Sequence, residues 1–280
     1  MGKKVVTLGE IMLRLSTPGN TRFVQSDSFD VVYGGGEANV AVSCANYGHD
    51  AYFVTKLPKH EIGQSAVNVL RKYGVKTDFI ARGGDRVGIY FLEKKTSQRP
   101  TNVIYNRAGS AFALATADDF NWDEIFDGAT WFHFSGITPA ISDNMAKITL
   151  AACKAAKEKG LTISCDLNYR SKLWSSEKAN KVMSELCPYV DICIANEDDA
   201  VGIFSMDASK SDKEKNAYIA EELTKRFPFK MVASVWRTET SITTFKLQSM
   251  IYTEGKAYYS KEYFMNILDY IGAGDAYCAG

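Results

Sequence analysis

From about residue 130 onward, apolar runs of strand length alternate with longer helical patterns, and this rhythm restricts the chain to βαβ units on a parallel sheet. Thr130 to Ser135 reads as a strand, and Ser142 to Lys159 follows as an Ala- and Lys-rich helix that stops at Gly160. Leu161 to Asp166 is the next strand. A helix near 176–186, a strand over 190–194, helices near 197–203 and 213–226 and a strand over 230–235 continue the pattern. Val5 to Leu8 reads as another buried strand of the same sheet.

Residues 11–33 and 86–107 break the rhythm. Within the second region, Gly88 to Glu93 and Asn102 to Arg107 read as a hairpin pair around the polar stretch Lys94 to Pro100. The two regions together predict a small β-sheet lid over the main sheet. With 280 residues, 46% of them hydrophobic, one large domain spanning 1–280 with this minor extension is expected.

Thirty-three basic and thirty-three acidic residues cancel, so no net field draws in nucleic acid or an acidic membrane surface. The apolar run at the N-terminus is interrupted by Glu10 and is too short for a signal peptide, and no run approaches the roughly 18 apolar residues of a membrane span. The six cysteines are scattered without a C-x-x-C pair, which suits reduced core residues of a cytoplasmic protein. The three histidines lack metal-ligand spacing, and His133 reads as a satisfied core residue.

Two glycine clusters carry the chemistry. Gly272-Ala273-Gly274-Asp275 follows an extended segment and opens a small-residue helix, where backbone N–H groups and the helix N-terminus can cradle a phosphate. Taken alone, Asp275 is better explained by capping that helix than by taking a proton from a hydroxyl. Tyr33-Gly34-Gly35-Gly36-Glu37-Ala38-Asn39 also runs into a small-residue helix. It permits close approach of a ligand to backbone, with Asn39 placed for sugar hydroxyls, or it is simply a turn before a closely packed helix. The first strand lacks the G-x-G-x-x-G turn of a dinucleotide site, which disfavours an oxidoreductase.

Gly35-Gly36-x-x-Asn39 and Asp269-x-x-Gly272-Ala273-Gly274-Asp275, in this order and spacing, resemble the paired signature of the ribokinase-like (PfkB-type) carbohydrate kinase family. The resemblance covers essentially the whole chain and implies a three-layer α/β/α fold with a mostly parallel central sheet and a β-sheet lid. It implies Asp275 as the catalytic base, with Gly272, Ala273 and Gly274 around the transferring phosphoryl group. Leu8 to Leu15, Val103 to Ala111 and Asp166 to Trp174 are similar to the 2-keto-3-deoxygluconate kinase branch in particular.

That likeness implies an acidic sugar, with Arg107 and Arg170 as the natural carboxylate partners. Glu10, Gly34, Gly35, Asn39, Tyr90 and Tyr105 would contact the sugar. Asn168, Asn196 and Arg237 would contact the nucleotide, Arg237 from a phosphate loop over 236–241. Asn196 and Asp199 would hold Mg²⁺ through water, Asp199 being one methylene shorter than the family's usual glutamate.

The implied ligands are ATP and Mg²⁺, with a monovalent cation also to be tested, and lids of this kind pair subunits into homo-oligomers. The helix N-terminus is expected to keep Asp275 ionised with a depressed pKa. Competing expectations are a fructokinase or other neutral-sugar kinase, and a non-catalytic sugar- or nucleotide-binding protein of the same fold. The sequence stops about two turns into the helix that Asp275 opens, so it reads as truncated.

Overall fold

In the computed structural model, residues 2–207, 209, 212–241, 244–266, 269 and 271–280 are described. The strands are β1 (Lys4–Leu8), β2 (Met12–Ser16), β3 (Asp30–Gly34), β4 (Asp50–Leu57), β5 (Ile80–Arg82), β6 (Ile89–Glu93), β7 (Asn102–Asn106), β8 (Trp131–Ser135), β9 (Thr162–Asp166), β10 (Ile192–Ile194), β11 (Met231–Glu239), β12 (Thr244–Thr253), β13 (Lys256–Tyr259) and β14 (Tyr263–Asn266). The helices are α1 (Gly36–Asn46), α2 (Glu61–Lys72), α3 (Trp122–Ile125), α4 (Ile137–Ala140), α5 (Asp143–Glu158), α6 (Ser176–Leu186), α7 (Glu197–Phe204), α8 (Asp212–Arg226) and α9 (Ala273–Ala279).

The large sheet runs β13-β12-β11-β10-β9-β8-β1-β4-β5. From β11 to β5 every neighbouring pair is parallel, as strands joined through helices must be. Both faces are covered. Phe132 and Phe134 of β8 point into one core, with Met145 and Ile148 of α5, Met183 of α6 and Leu223 of α8. Phe53 of β4 points into the other, with Ala41 of α1 and Val67 and Leu70 of α2. Each fully buried side chain of this size contributes about 1.5–3 kcal/mol.

Local chemistry fixes the element ends. Ser142 caps α5 by accepting from Met145 N at 3.2 Å, and Gly160 follows that helix at φ +74°, a conformation that favours glycine. His133 is buried in β8 with Nδ1 2.8 Å from Ser164 Oγ, and burial pushes its pKa down to about 4.

The lid is a separate sheet ordered β3-β2-β6-β7. Its outer pairs are antiparallel and β2 runs parallel to β6, so both irregular regions of the sequence meet there.

Three expectations change. Residues 236–239 are strand and not the loop expected over 236–241: β11 continues through Glu239 and pairs with β12, Arg237 lying opposite Leu247. The β12–β14 ribbon turns that edge of the sheet antiparallel, because direct strand-to-strand connections replace helical crossovers. Cys278 is only half-buried, in contrast to the other five cysteines: it packs against the edge of one core with its Sγ 3.7 Å from Asp166 Oδ2.

Candidate active site

The sheet order reverses at β1. Beyond it on one side lie β4 and β5, and on the other β8 to β11. The crevice past the carboxyl ends of β1 and β8 is therefore where such a sheet receives a ligand. The α1 and α9 termini converge on this crevice, and the lid strands β2 and β3 leave from it.

Asp275 sits in the first turn of α9, next to α1. Asn39 Nδ2 donates to Asp275 Oδ2 at 2.7 Å, joining motifs 236 residues apart. Gly272 adopts φ +89° just before the helix, which favours a residue without Cβ. The first intrahelical bond runs from Ala276 N to Gly272 O at 2.9 Å, so the amides of Ala273, Gly274 and Asp275 precede the ladder. A Cβ on Gly274 would meet nothing within 4 Å, leaving room for a phosphoryl group there.

The expected depressed pKa of Asp275 is overturned. Burial raises it above the ordinary carboxylate value, and the Asn39 hydrogen bond and the Arg170 charge pull it only part of the way back. Asp166 at the end of β9 is pushed up to about 8, first by burial and then by Asp199 and Asp275, against the opposing pull of Arg170 and Cys278. A single guanidinium, that of Arg170, thus faces Asp166, Asp199 and Asp275 together.

The lid side of the crevice is built around Glu10, just beyond β1 and buried. Its Oε2 accepts from Arg107 Nε at 2.8 Å and Arg107 Nη2 at 2.5 Å, and its Oε1 accepts from Ser110 Oγ. Arg107 is thus already paired, while Arg170 is exposed and, among the described residues, hydrogen-bonds Tyr169 O at 3.1 Å with no salt bridge within 4 Å. Gly34 ends β3. Gly35 must be glycine for space, since a Cβ there would lie 1.9 Å from the Glu10 carbonyl oxygen. Tyr90 and Tyr105 face each other across β6 and β7 with ring centroids 5.8 Å apart, Tyr90 buried and Tyr105 exposed.

Beyond the end of β9, Asn168 takes a left-handed backbone (φ +40°) and donates Nδ2 to Asp166 Oδ2 at 3.2 Å. Asn196 and Asp199 form a reciprocal capping box at the start of α7, and Asp199 Oδ1 also accepts from Tyr169 N at 2.6 Å. Both Asp199 oxygens are therefore occupied by backbone N–H groups. Among the described residues no three His, Cys, Asp or Glu side chains form a metal cage. This donor set fits a divalent ion that keeps its waters and takes most inner ligands from phosphates. Arg237 lies exposed on β11, its guanidinium 5.8 Å from the Phe245 ring centroid.

Two residues at the site carried no functional expectation in the sequence. Arg14 on β2 approaches Asp269 at 3.8 Å, and its charge acts on the buried Tyr90 hydroxyl. Glu37 on α1 is a buried acid behind Asp275. The signal for each was a charge inside an otherwise apolar or small-residue run, and their partners are remote in sequence.

A helix N-terminus with open amides, a half-buried carboxylate and a separate lid sheet at a switch point fit a phosphotransferase acting on a small hydroxylated molecule. The description "pfkB family carbohydrate kinase" matches residues 2–280, and the chain belongs to that family of ATP-dependent sugar kinases. A 2-dehydro-3-deoxygalactonokinase of Haloferax volcanii is 34% identical over 99% of this chain and 82% of its own length. The crystal structure of a 2-dehydro-3-deoxygluconokinase from Thermotoga maritima matches with a TM-score of 0.96 and 51% identity, covering 99% of this chain and 85% of that one. A fructokinase of Zea mays is 26% identical over 98% of this chain and 80% of its own length.

Proposed function

We propose that the chain phosphorylates 2-keto-3-deoxygluconate, giving the 6-phosphate and ADP. The observation that carries this reading is the Asn39–Asp275 bond at 2.7 Å, which sets a half-buried carboxylate at the helix end facing the crevice. The sugar hydroxyl oxygen attacks the γ-phosphorus as the bond to the bridging oxygen of ADP breaks, and the hydroxyl proton passes to Asp275. The amides of Ala273 and Gly274 meet the charge on the transferring group. Mg²⁺, when bound, neutralises phosphate charge, and Asn196 and Asp199 would hold it through water. A monovalent cation is tested by comparing rates in potassium and in a bulky organic cation.

Arg170 is the guanidinium free to receive the sugar carboxylate, and Arg107 offers its remaining Nη1 edge. Tyr90 and Tyr105 contact sugar oxygens from the lid, and Gly34, Gly35 and Glu10 shape the pocket floor. Asn168 flanks the nucleotide. Arg237, exposed on its strand, contributes to phosphate binding only from the outer edge. Val31, Val32 and Ile104 are exposed on the outer lid strands, which supports pairing of two copies through the lid. Light scattering that gives a monomer would contradict this. No helix among the described residues is long and apolar enough to cross a membrane, and a cytoplasmic location suits the ATP requirement.

One observation favours a second reading. Because Glu10 neutralises Arg107, the pocket is less cationic than two free arginines would make it, as a neutral-sugar kinase requires. ADP release measured with 2-keto-3-deoxygluconate, 2-keto-3-deoxygalactonate, fructose and ribose side by side separates the two. The proposal expects kcat/KM for the acidic sugars to exceed that for fructose by about 10²-fold or more, the worth of a charge-assisted contact. Equal or better use of fructose would replace it with the neutral-sugar reading.

A further inference from the structure

Glu37 lies two residues before Asn39 on the first turn of α1, 2% exposed. Its Oε1 accepts from Ser135 Oγ at 2.6 Å and Ser135 N at 3.1 Å at the end of β8, and from Thr138 Oγ1 at 2.8 Å on α4. Its main-chain oxygen accepts from Thr7 Oγ1 of β1 at 3.0 Å. Its Oε2 packs on Gly9, where a Cβ would lie 2.2 Å away. One residue, through its side chain toward β8 and α4 and its main-chain oxygen toward β1, therefore ties the start of α1 to both strands at the switch point. Burying a carboxyl costs several kcal/mol of desolvation unless its bonds are made, and packing alone would be better served by an apolar residue.

We propose that Glu37 is a positioning residue for the phosphoryl-transfer step: it locks the first turn of α1 so that the Asn39 amide is aimed at Asp275. This inference rests on Asp275 being the base. The groups that face Asp275 are Asn39 and Glu37 from α1, Asp166 from β9, Arg170 from the segment after β9, and Cys278 from α9 itself. Among the described residues, Asn39 alone of these donates a hydrogen bond to its carboxylate. Loosening Asn39 removes a bond that favours the ionised form, so the acid limb of the kcat profile moves to higher pH.

The test compares Glu37→Ala, Glu37→Gln, Asn39→Ala, the Glu37→Ala/Asn39→Ala double variant, Thr138→Val and Asp275→Asn in the intact chain, by kcat, KM and pH profile. Glu37→Ala is expected to lower kcat about 10- to 100-fold with little change in KM for ATP, and to shift the acid limb upward. Glu37→Gln, whose amide oxygen can accept from the same three donors, recovers most of the loss. The double variant is expected to be no slower than Asn39→Ala alone, because Glu37 acts through Asn39.

Additive losses, or a lowered Tm with kcat and acid limb unmoved, would overturn the proposal. Should Glu37→Ala fail to fold, Thr138→Val decides: it removes one donor to Glu37, and an unshifted acid limb overturns the assignment. If Asp275→Asn retains turnover, the base assignment falls and this inference with it. If only Asp275→Asn is slow, the base stands and the role of Glu37 does not.

Discussion

A carboxylate at a helix N-terminus is ordinarily stabilised in its charged form by the helix dipole, yet burial wins at Asp275 and raises its pKa. The effect is useful, because a base poised higher accepts a proton more readily. Asp166 shows the same balance more strongly, at about 8. With its folded pKa above the unfolded value, the native state holds a proton that the unfolded chain releases, so this group's contribution to stability is present below about pH 4 and lost as pH rises through about 8. Asp166→Asn removes that penalty. Its Tm relative to the parent is expected to rise progressively from pH 5 to pH 8 in paired thermal melts, by less than full burial implies because Asp166 keeps partial contact with solvent. A pH-independent difference would show that the acid is not strained by its neighbours.

At the scale of elements, α1 is the part on which the site depends. Its N-cap, Gly35, has an extended φ of −176°, so the demand for glycine there is steric and not conformational. Gly35→Ala puts a methyl 1.9 Å from the Glu10 carbonyl, which as backbone cannot yield cheaply. A destabilisation of about 1–3 kcal/mol is expected together with a lower kcat, since α1 must move and carry Asn39 with it. Thermal unfolding and steady-state kinetics check both, and unchanged values in both would contradict the packing described.

The βαβ rhythm from β8 onward and the lid pairing were legible because each depends on local periodicity and turn residues. The extension of β11 was not, because Trp236 to Glu239 gain their partners only from β12. Asp275 and Asn39 could be read from glycine-rich motifs. Glu37 could not, because its meaning lies in Ser135, 98 residues away. The pairing of Glu10 with Arg107 was likewise invisible, being a contact across 97 residues.

For the whole molecule, the switch point, the lid and the N-terminus of α9 meet at one crevice, and the Arg107–Glu10 pair leaves Arg170 as the exposed guanidinium there. In the proposed reaction the lid would close over the sugar above Asp275, keeping ATP from being spent on water. The most direct measurement is sugar-dependent ADP formation from 2-keto-3-deoxygluconate by the parent chain and by Asp275→Asn, at a pH where the parent base is fully ionised. A fall in kcat of about 10²-fold or more in a folded variant is expected. Near-normal turnover by Asp275→Asn, or no ADP formation by the parent chain with this sugar, would contradict the proposed chemistry.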